Sequence, residues 1–410
     1  MSAVFPAVPV ESIASSEPRS IAIGPFGSRL KTDAYVASGV AVIRGANIVK
    51  SRYPQGEFVY VTDETLAGIP GAKVVAGDLV FPHRGAIGEV GLVPLHQSEP
   101  MMLSTSLMKL TPDSDAADSI FLYYYFASKA GRDELLMRAS TVGTPGIGQP
   151  LTSLRQIPVP LPPLEEQRGI AATLGALDDK IDSNRRAIRL MEQAARLRFR
   201  QLFNVEHDLG GVPVSELIQV NPRRKLAKGT PATYVGMSSL PEFFPLINEW
   251  ETKEVGSGQK FINGDVLMAR ITPCLENGKT AVVDMLQDGE IGWGSTEYVV
   301  LSPQGEITTP WIYCFVRDEA VRTWAVRRMT GSSGRQRFSA GGFDDYRIKG
   351  PDPAKLGEFN ELAVPMFERM AQLRDESQKL AALRDALLPE LLSGRIRVPE
   401  AALAVAATSS

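Results

Sequence analysis

Mostly apolar positions recur at alternating steps of three and four along the middle of the chain: Leu174, Leu177, Ile181, Asn184, Ile188, Met191, Ala195, Arg198 and Leu202. That spacing is a heptad seam, the stripe that one helix buries against another. The stretch begins after prolines at 158, 160, 162 and 163, which hold the chain extended until Leu164 opens a helix with Glu165 and Glu166 in its first turn. A helix of roughly 40 residues is about 60 Å long, more than a small domain needs for its own core, so the seam requires a partner. Adding 189 to each position gives Ala363, Met366, Met370, Leu373, Ser377, Leu380, Arg384, Leu387 and Leu391, a second mostly apolar stripe in helix-forming sequence. Burying a Leu or Met side chain contributes about 1.5–3 kcal/mol, against about 0.2–0.5 kcal/mol for an exposed i,i+4 ion pair. Packing of the two helices on each other therefore outweighs two solvated single helices. Asn184, Ser377, Arg198 and Arg384 weaken such a zipper, and polar seam residues serve to fix register. Pro365 is expected to break the second helix near its start, and Pro389 to kink its end.

The repeat extends beyond the helices. "VPVESI" from Val8 is echoed by "VPVSEL" from Val212, "AGDLVFPHRG" from Ala76 by "NGDVLMARIT" from Asn263, and "STSLMKLTP" from Ser104 by "STEYVVLSP" from Ser295. An apolar, aromatic helix expected at 120–138 has its counterpart at 311–329, and "TVGTPGIGQPL" from Thr141 aligns with "TGSSGRQRF" from Thr330. Short apolar runs at 59–61, 78–81 and 107–110, then at 266–268, 280–283 and 298–301, read as strands. The fold class is α+β: two tandem α+β domains separated by two long helices that form an antiparallel coiled coil, related as a pseudo-twofold internal repeat. The expected boundaries are 1–157 for the first domain, 158–205 for the central helical spacer, 206–352 for the second domain, 353–396 for the C-terminal spacer and 397–410 for a flexible tail. Such a molecule would present two heads at a fixed spacing.

Composition changes little in this picture. The length of 410 residues allows two or three domains, and the net charge of −3 does not announce a nucleic-acid binder. Two cysteines, Cys274 and Cys314, form no CxxC pair and read as reduced thiols. The N-terminus lacks the basic start and apolar core of a signal peptide, and no apolar run approaches membrane-spanning length. The expected location is cytoplasmic.

No catalytic constellation emerges. "NGKT" at 277–280 lacks the glycine a P-loop needs, since residue 273 is proline. His83, His96 and His207 have no second ligand at metal spacing, and nothing pairs carboxylates or builds a nucleophile elbow. No catalytic, cofactor-binding or metal residues are therefore assigned. What remains is donor-rich loops at matching positions. In the first domain they carry Arg29, Lys31, Arg44, Asn47, His83, Arg84, Thr144 and Gln149. In the second they carry Arg223, Arg224, Lys225, Arg270, Thr272, Asn277, Lys279, Ser332, Ser333, Arg335, Gln336 and Arg337. Arg, Asn and Gln can read base edges bidentately, and Lys, Ser and Thr suit phosphates. Each residue alone is equally a solvated loop side chain. The local concentration is greatest in "SSGRQR", residues 332–337.

These features resemble the specificity subunits of type I restriction–modification enzymes. The residues that carry the resemblance are "IGPFGSRLKT" from Ile23, "VAVIRGANI" from Val40, "AGDLVF" from Ala76 and above all "IPVPLPPLEEQRGIAATLGALDDKID" from Ile157. The second copy departs from the pattern, since "YRIKGPDPAKLGEFNELAVP" from Tyr346 lacks the EQR element. The resemblance implies two target-recognition domains, each reading half of a bipartite site in double-stranded DNA, and no catalysis by the chain itself. It implies two methyltransferase subunits as partners and, in some systems, two restriction/translocase subunits. S-adenosylmethionine would be bound by the methyltransferase, ATP and Mg by a restriction subunit, and no cofactor by this chain. Two other readings stay open: the specificity subunit of a modification-only defence system, and a coiled-coil scaffold whose heads bind proteins.

Overall fold

A computed structural model describes residues 5–25, 30–48, 51–140, 146–332 and 334–399. The chain divides into two compact units, Met1–Asp179 with Leu380–Ser410, and Lys180–Lys379. Each long helix contributes one segment to each unit, so both units are built from a globular head and pieces of both helices.

The first unit contains two four-stranded sheets. One runs in the order Ile21–Ile23, Leu107–Leu110, Leu79–Pro82, Gly91–Leu92, with every pairing antiparallel. The other runs Val59–Val61, Val40–Ile43, Met101–Leu103, Lys73–Val74, and only its central pair is parallel. The run Leu-Val-Phe-Pro at 79–82 is apolar at every position because the sheet is covered on both faces. Val80 enters a core shared with the second sheet, while Phe81 meets Phe126 of the covering helix edge-on at 4.9 Å.

The second unit repeats both orders. Its sheets run Gln219–Val220, Tyr298–Ser302, Val266–Ala269, Thr280–Val282, and Glu251–Glu254, Pro231–Val235, Gly292–Gly294, Lys260–Phe261. Alternation sorts the strand 266–269 between layers: Leu267 and Ala269 face the inter-sheet core, and Val266 and Met268 face the helices. The repeated Gly-Asp turn has the same function in both units. Gly77 and Gly264 hold φ of +84° and +91°, a conformation that favours glycine. The turn tucks Asp78 and Asp265 beneath the sheet. Asp78 accepts from the Val75 N–H at 3.0 Å, Lys109 Nζ at 2.9 Å and Thr111 Oγ1 at 2.6 Å. Asp265 accepts from the Ile262 N–H at 2.8 Å, Arg224 Nη2 at 2.8 Å and the Ser302 hydroxyl.

Each apolar helix expected as one rod is two. Ser119–Ala127 is followed by Lys129–Leu136, and Thr309–Arg317 by Glu319–Arg327. The break falls on a residue in extended conformation that caps the next helix. Ser128 Oγ accepts from the Gly131 N–H at 3.3 Å, and the Asp318 carboxylate accepts from the Ala320 N–H at 3.0 Å.

The long helices span Leu164–Leu202 and Pro353–Leu392. Leu174, Leu177, Ile181, Ile188, Met370, Leu373, Leu380, Leu387 and Leu391 are all buried, and Met191 is half-buried. The pairing is antiparallel in each unit. In the first, Glu166 meets Arg397 and Asp178 meets Arg384. In the second, Asn184 Nδ2 donates to Ser377 Oγ at 3.2 Å and to the Leu373 carbonyl at 3.4 Å, and Arg198 pairs with Glu358. Asn184 is thus a satisfied buried amide within the seam, and Arg384 is an ion-pair partner at its edge.

Three expectations for these helices need correction. The helix runs through Pro365, whose exposed ring lies on the solvent side, because packing on the opposite face outweighs one lost backbone bond. At the end of the first helix the buried stripe continues through Ala195, Phe199 and Phe203 rather than Arg198 and Leu202. Steps of four track the straight helix there, because Phe199 and Phe203 pack on Trp311 of the head at 5.5 and 6.1 Å. The C-terminal helix stops at Leu392, short of the expected 396.

The EEQR entry has a packing reason. Gln167 is fully buried, accepts from the Asp118 N–H at 2.9 Å, and donates to the carbonyls of Pro162 at 2.9 Å and Ala116 at 3.2 Å. It clamps the helix start to the head by satisfying backbone groups of the head and of the chain before the helix. Deeper along the helix, Tyr124 donates to Asp178 at 2.6 Å, and burial first, then that carboxylate, pushes its phenol well above the ordinary range. In the second unit the matching Tyr313 donates to Glu192 at 3.0 Å.

Candidate nucleic-acid interface

Strand ends converge at one end of each head. In the first unit the Gly24 N–H donates to Leu107 O at 2.8 Å, the Ser104 N–H to Ile43 O at 2.9 Å, the His83 N–H to Ser106 O at 2.9 Å and the Ile147 N–H to His83 O at 2.9 Å. Arg84 bridges Gly146 in β fashion. This places Arg44, His83, Arg84 and the loop before Gln149 on a common edge. The second unit builds the same edge: Ile271 bridges Arg337, the Thr272 N–H donates to Gln336 O at 3.1 Å, and the Phe338 N–H donates to Arg270 O at 2.7 Å. The segment 336–338 is therefore strapped to the end of the strand 266–269, as the segment 146–147 is to the end of 79–82.

The expected contact residues divide by what their side chains already touch. Lys31, Arg84, Gln149, Arg223, Lys225, Ser332, Arg335 and Gln336 are exposed. Gln149 sits at φ +22°, a left-handed conformation unusual outside glycine, at the start of the helix Pro150–Arg155. Thr272 donates to Glu276, Asn277 donates to Glu242, and Lys279 donates to the Met237 carbonyl at 3.0 Å. Arg29, Thr144 and Ser333 lie outside the described residues.

Four further expected contacts are also engaged within the fold. Asn47 is buried, donating to the carbonyls of Gln55 at 2.9 Å and Glu57 at 3.0 Å while accepting from the Arg44 N–H at 2.9 Å. Arg44 itself reaches the Glu57 carbonyl at 3.0 Å. His83 is buried against the Thr105 carbonyl, and desolvation lowers its pKa, with the neighbouring Arg84 charge adding to the shift. Arg224 is turned inward onto Asp265, Ser302 and the Lys260 carbonyl. It lies at the start of the strand 266–269, whereas Arg270 follows its end, so the expected run of 223–225 does not join the 330–338 loop. Burial pushes the Asp265 carboxyl up in spite of these partners.

Glu297 is a site residue that sequence reasoning passed over. Its carboxylate takes Arg337 Nε at 2.8 and 3.0 Å and Arg270 Nε at 3.2 Å. The repeat marks the position, since "STEY" has Glu297 where "STSL" has Ser106. Among the described residues no group of three or more His, Cys, Asp or Glu could hold a metal ion, and no helix is long and apolar enough to cross a membrane.

Residues 28–193 match the family model for the type I restriction modification DNA specificity domain. The specificity subunit of the type I restriction enzyme EcoEI from Escherichia coli is 28% identical over 180 residues, which cover 42% of this chain and 30% of that relative. The MjaIX specificity subunit of Methanocaldococcus jannaschii is 22% identical over 352 residues, covering 79% of this chain and 78% of the relative. In fold, the chain is similar to the crystal structure of a type I restriction–modification S subunit from M. genitalium, with a TM-score of 0.57 over 95% of this chain and 96% of that one at 15% identity. The chain thus matches the type I restriction modification DNA specificity domain over residues 28–193, and it spans less than a third of the length of the EcoEI relative.

Proposed function

We propose that the chain is the non-catalytic subunit that gives a type I restriction–modification system its DNA specificity, with each unit reading one half of a bipartite site. The observation that carries this reading is the duplicated edge: in both units a donor-bearing loop is strapped to the end of the same strand of the same sheet, at Arg84–Gly146 and at Ile271–Arg337. Exposed Arg84, Gln149, Ser332, Arg335 and Gln336 at such an edge suit base edges and phosphates. Two adenine-methylating subunits that use S-adenosylmethionine would dock on the chain and extract the target base from the duplex. Restriction/translocase subunits using ATP and Mg would join where the system has them. The net charge of −3 fits a complex in which the methyltransferase subunits complete the basic surface around the DNA.

Exchanging residues 206–352 for the corresponding segment of another family member tests this reading. The methylated motif should change in one half-site and keep the other. A change in both halves, or in neither, contradicts it. The same acidic balance is what a protein-binding scaffold would show, and that reading requires DNA binding by the assembled complex to be absent or insensitive to salt.

A further inference from the structure

Glu297 holds two arginines by the same nitrogen. Arg337 and Arg270 each turn Nε toward its carboxylate, and Arg337 Nη1 donates to the Arg335 carbonyl at 3.1 Å. Arg337 Nη2 and both Nη nitrogens of Arg270 have no partner among the described residues, and the two side chains are 41% and 30% exposed against 19% for Glu297. The backbone fixes the same cluster. The Glu297 N–H donates to Ser295 Oγ at 3.1 Å, and the Arg270 N–H to the Glu297 carbonyl at 3.0 Å.

This arrangement differs from a phosphate clamp. A phosphate contact needs positive charge, which a flexible lysine supplies equally well. Reading a base edge needs a guanidinium fork held in one orientation. Sharing one carboxylate lets two like charges sit side by side, and it orders both side chains before DNA arrives, so less rotamer freedom is lost on binding. The first unit has Ser106 at the position of Glu297, and Gly146 takes the place of Arg337 in the equivalent bridge, Arg84–Gly146 against Ile271–Arg337.

Resting on the DNA-reading role proposed above, we infer that Glu297 is a positioning residue that presents Arg270 and Arg337 to base edges in the half-site of the second unit. The target class is the O6 and N7 acceptors of guanine, the edge an arginine fork matches. Glu297 itself touches no base.

The test uses the full chain assembled with its methyltransferase subunits, bound to duplexes in which each base pair of the site is changed in turn. Wild type should discriminate at a G·C pair in one half-site. Glu297→Gln should weaken that discrimination about tenfold while raising affinity for unrelated DNA, because one negative charge is removed beside the arginines. Arg337→Lys should lose discrimination at the same pair, with the melting temperature and the other half-site unchanged. Equal loss of affinity for every sequence, or loss in step with a lowered melting temperature, would make Glu297 a fold strut and overturn the inference. Full discrimination by Arg337→Lys would overturn it too, since a point charge would then suffice. A wild-type complex with no base preference would instead overturn the DNA-reading role, before any variant is compared.

Discussion

Arg224 shows how far side-chain chemistry can mislead at the level of the residue. It sits in the triplet Arg-Arg-Lys at 223–225, which reads as a basic surface patch, yet its side chain is only 11% exposed and its partner Asp265 only 1%. The partner is 41 residues away in sequence, so nothing local reveals it. Removing one member of a buried pair leaves the other charge unpaired, at a cost of about 3–5 kcal/mol. Arg224→Ala should therefore lower unfolding free energy by about that amount in denaturant titrations and leave the DNA motif unchanged. The sign of the pH effect follows from Asp265, whose folded pKa is already raised by burial and should rise further without Arg224. A raised folded pKa contributes stability at low pH that is lost as pH rises through it, so the variant's deficit should shrink as pH falls. Wild-type stability combined with an altered motif would place Arg224 at the DNA instead. Asn47 and His83 are likewise buried with partners inside the fold: donor capacity is visible in a sequence, but burial and partner are not. Donor capacity does not point to Glu297, whereas the repeat displays it in place of Ser106.

At the scale of elements, legibility followed periodicity. The strands at 59–61 and 107–110 and the seam from Leu174 to Met191 could be read because burial on fixed faces forces a fixed pattern of apolar residues. The helix pairs look like single helices in sequence because Ser128 and Asp318 interrupt the backbone without interrupting the apolar run. Pro365 looks like a breaker because propensity counts the lost bond and not the packed opposite face. Its ring is exposed and contributes no packing, so Pro365→Ala should restore a helical N–H and stabilise the chain by up to about 3 kcal/mol, measured by unfolding of the full-length protein. A destabilised alanine variant would show that the helix depends on the bend a proline imposes.

For the whole molecule, the decisive pattern was repetition at a near-constant offset of 189. Both units carry the same strand orders, the same Gly-Asp turn and the same strapped loop. The duplication was legible because two copies must bury equivalent faces, whereas the division of each long helix between units was not, since it depends on contacts across the chain. The net charge of −3, which argued against a nucleic-acid role, averages over heads whose basic loops are local. The most direct measurement is a genome-wide map of adenine methylation in the source strain, with this gene intact and with it deleted. Deletion should abolish methylation at one gapped, two-part motif and leave every other motif in place. A methylation map that shows such a motif and keeps it after deletion would contradict the assignment of this chain as the subunit that reads it.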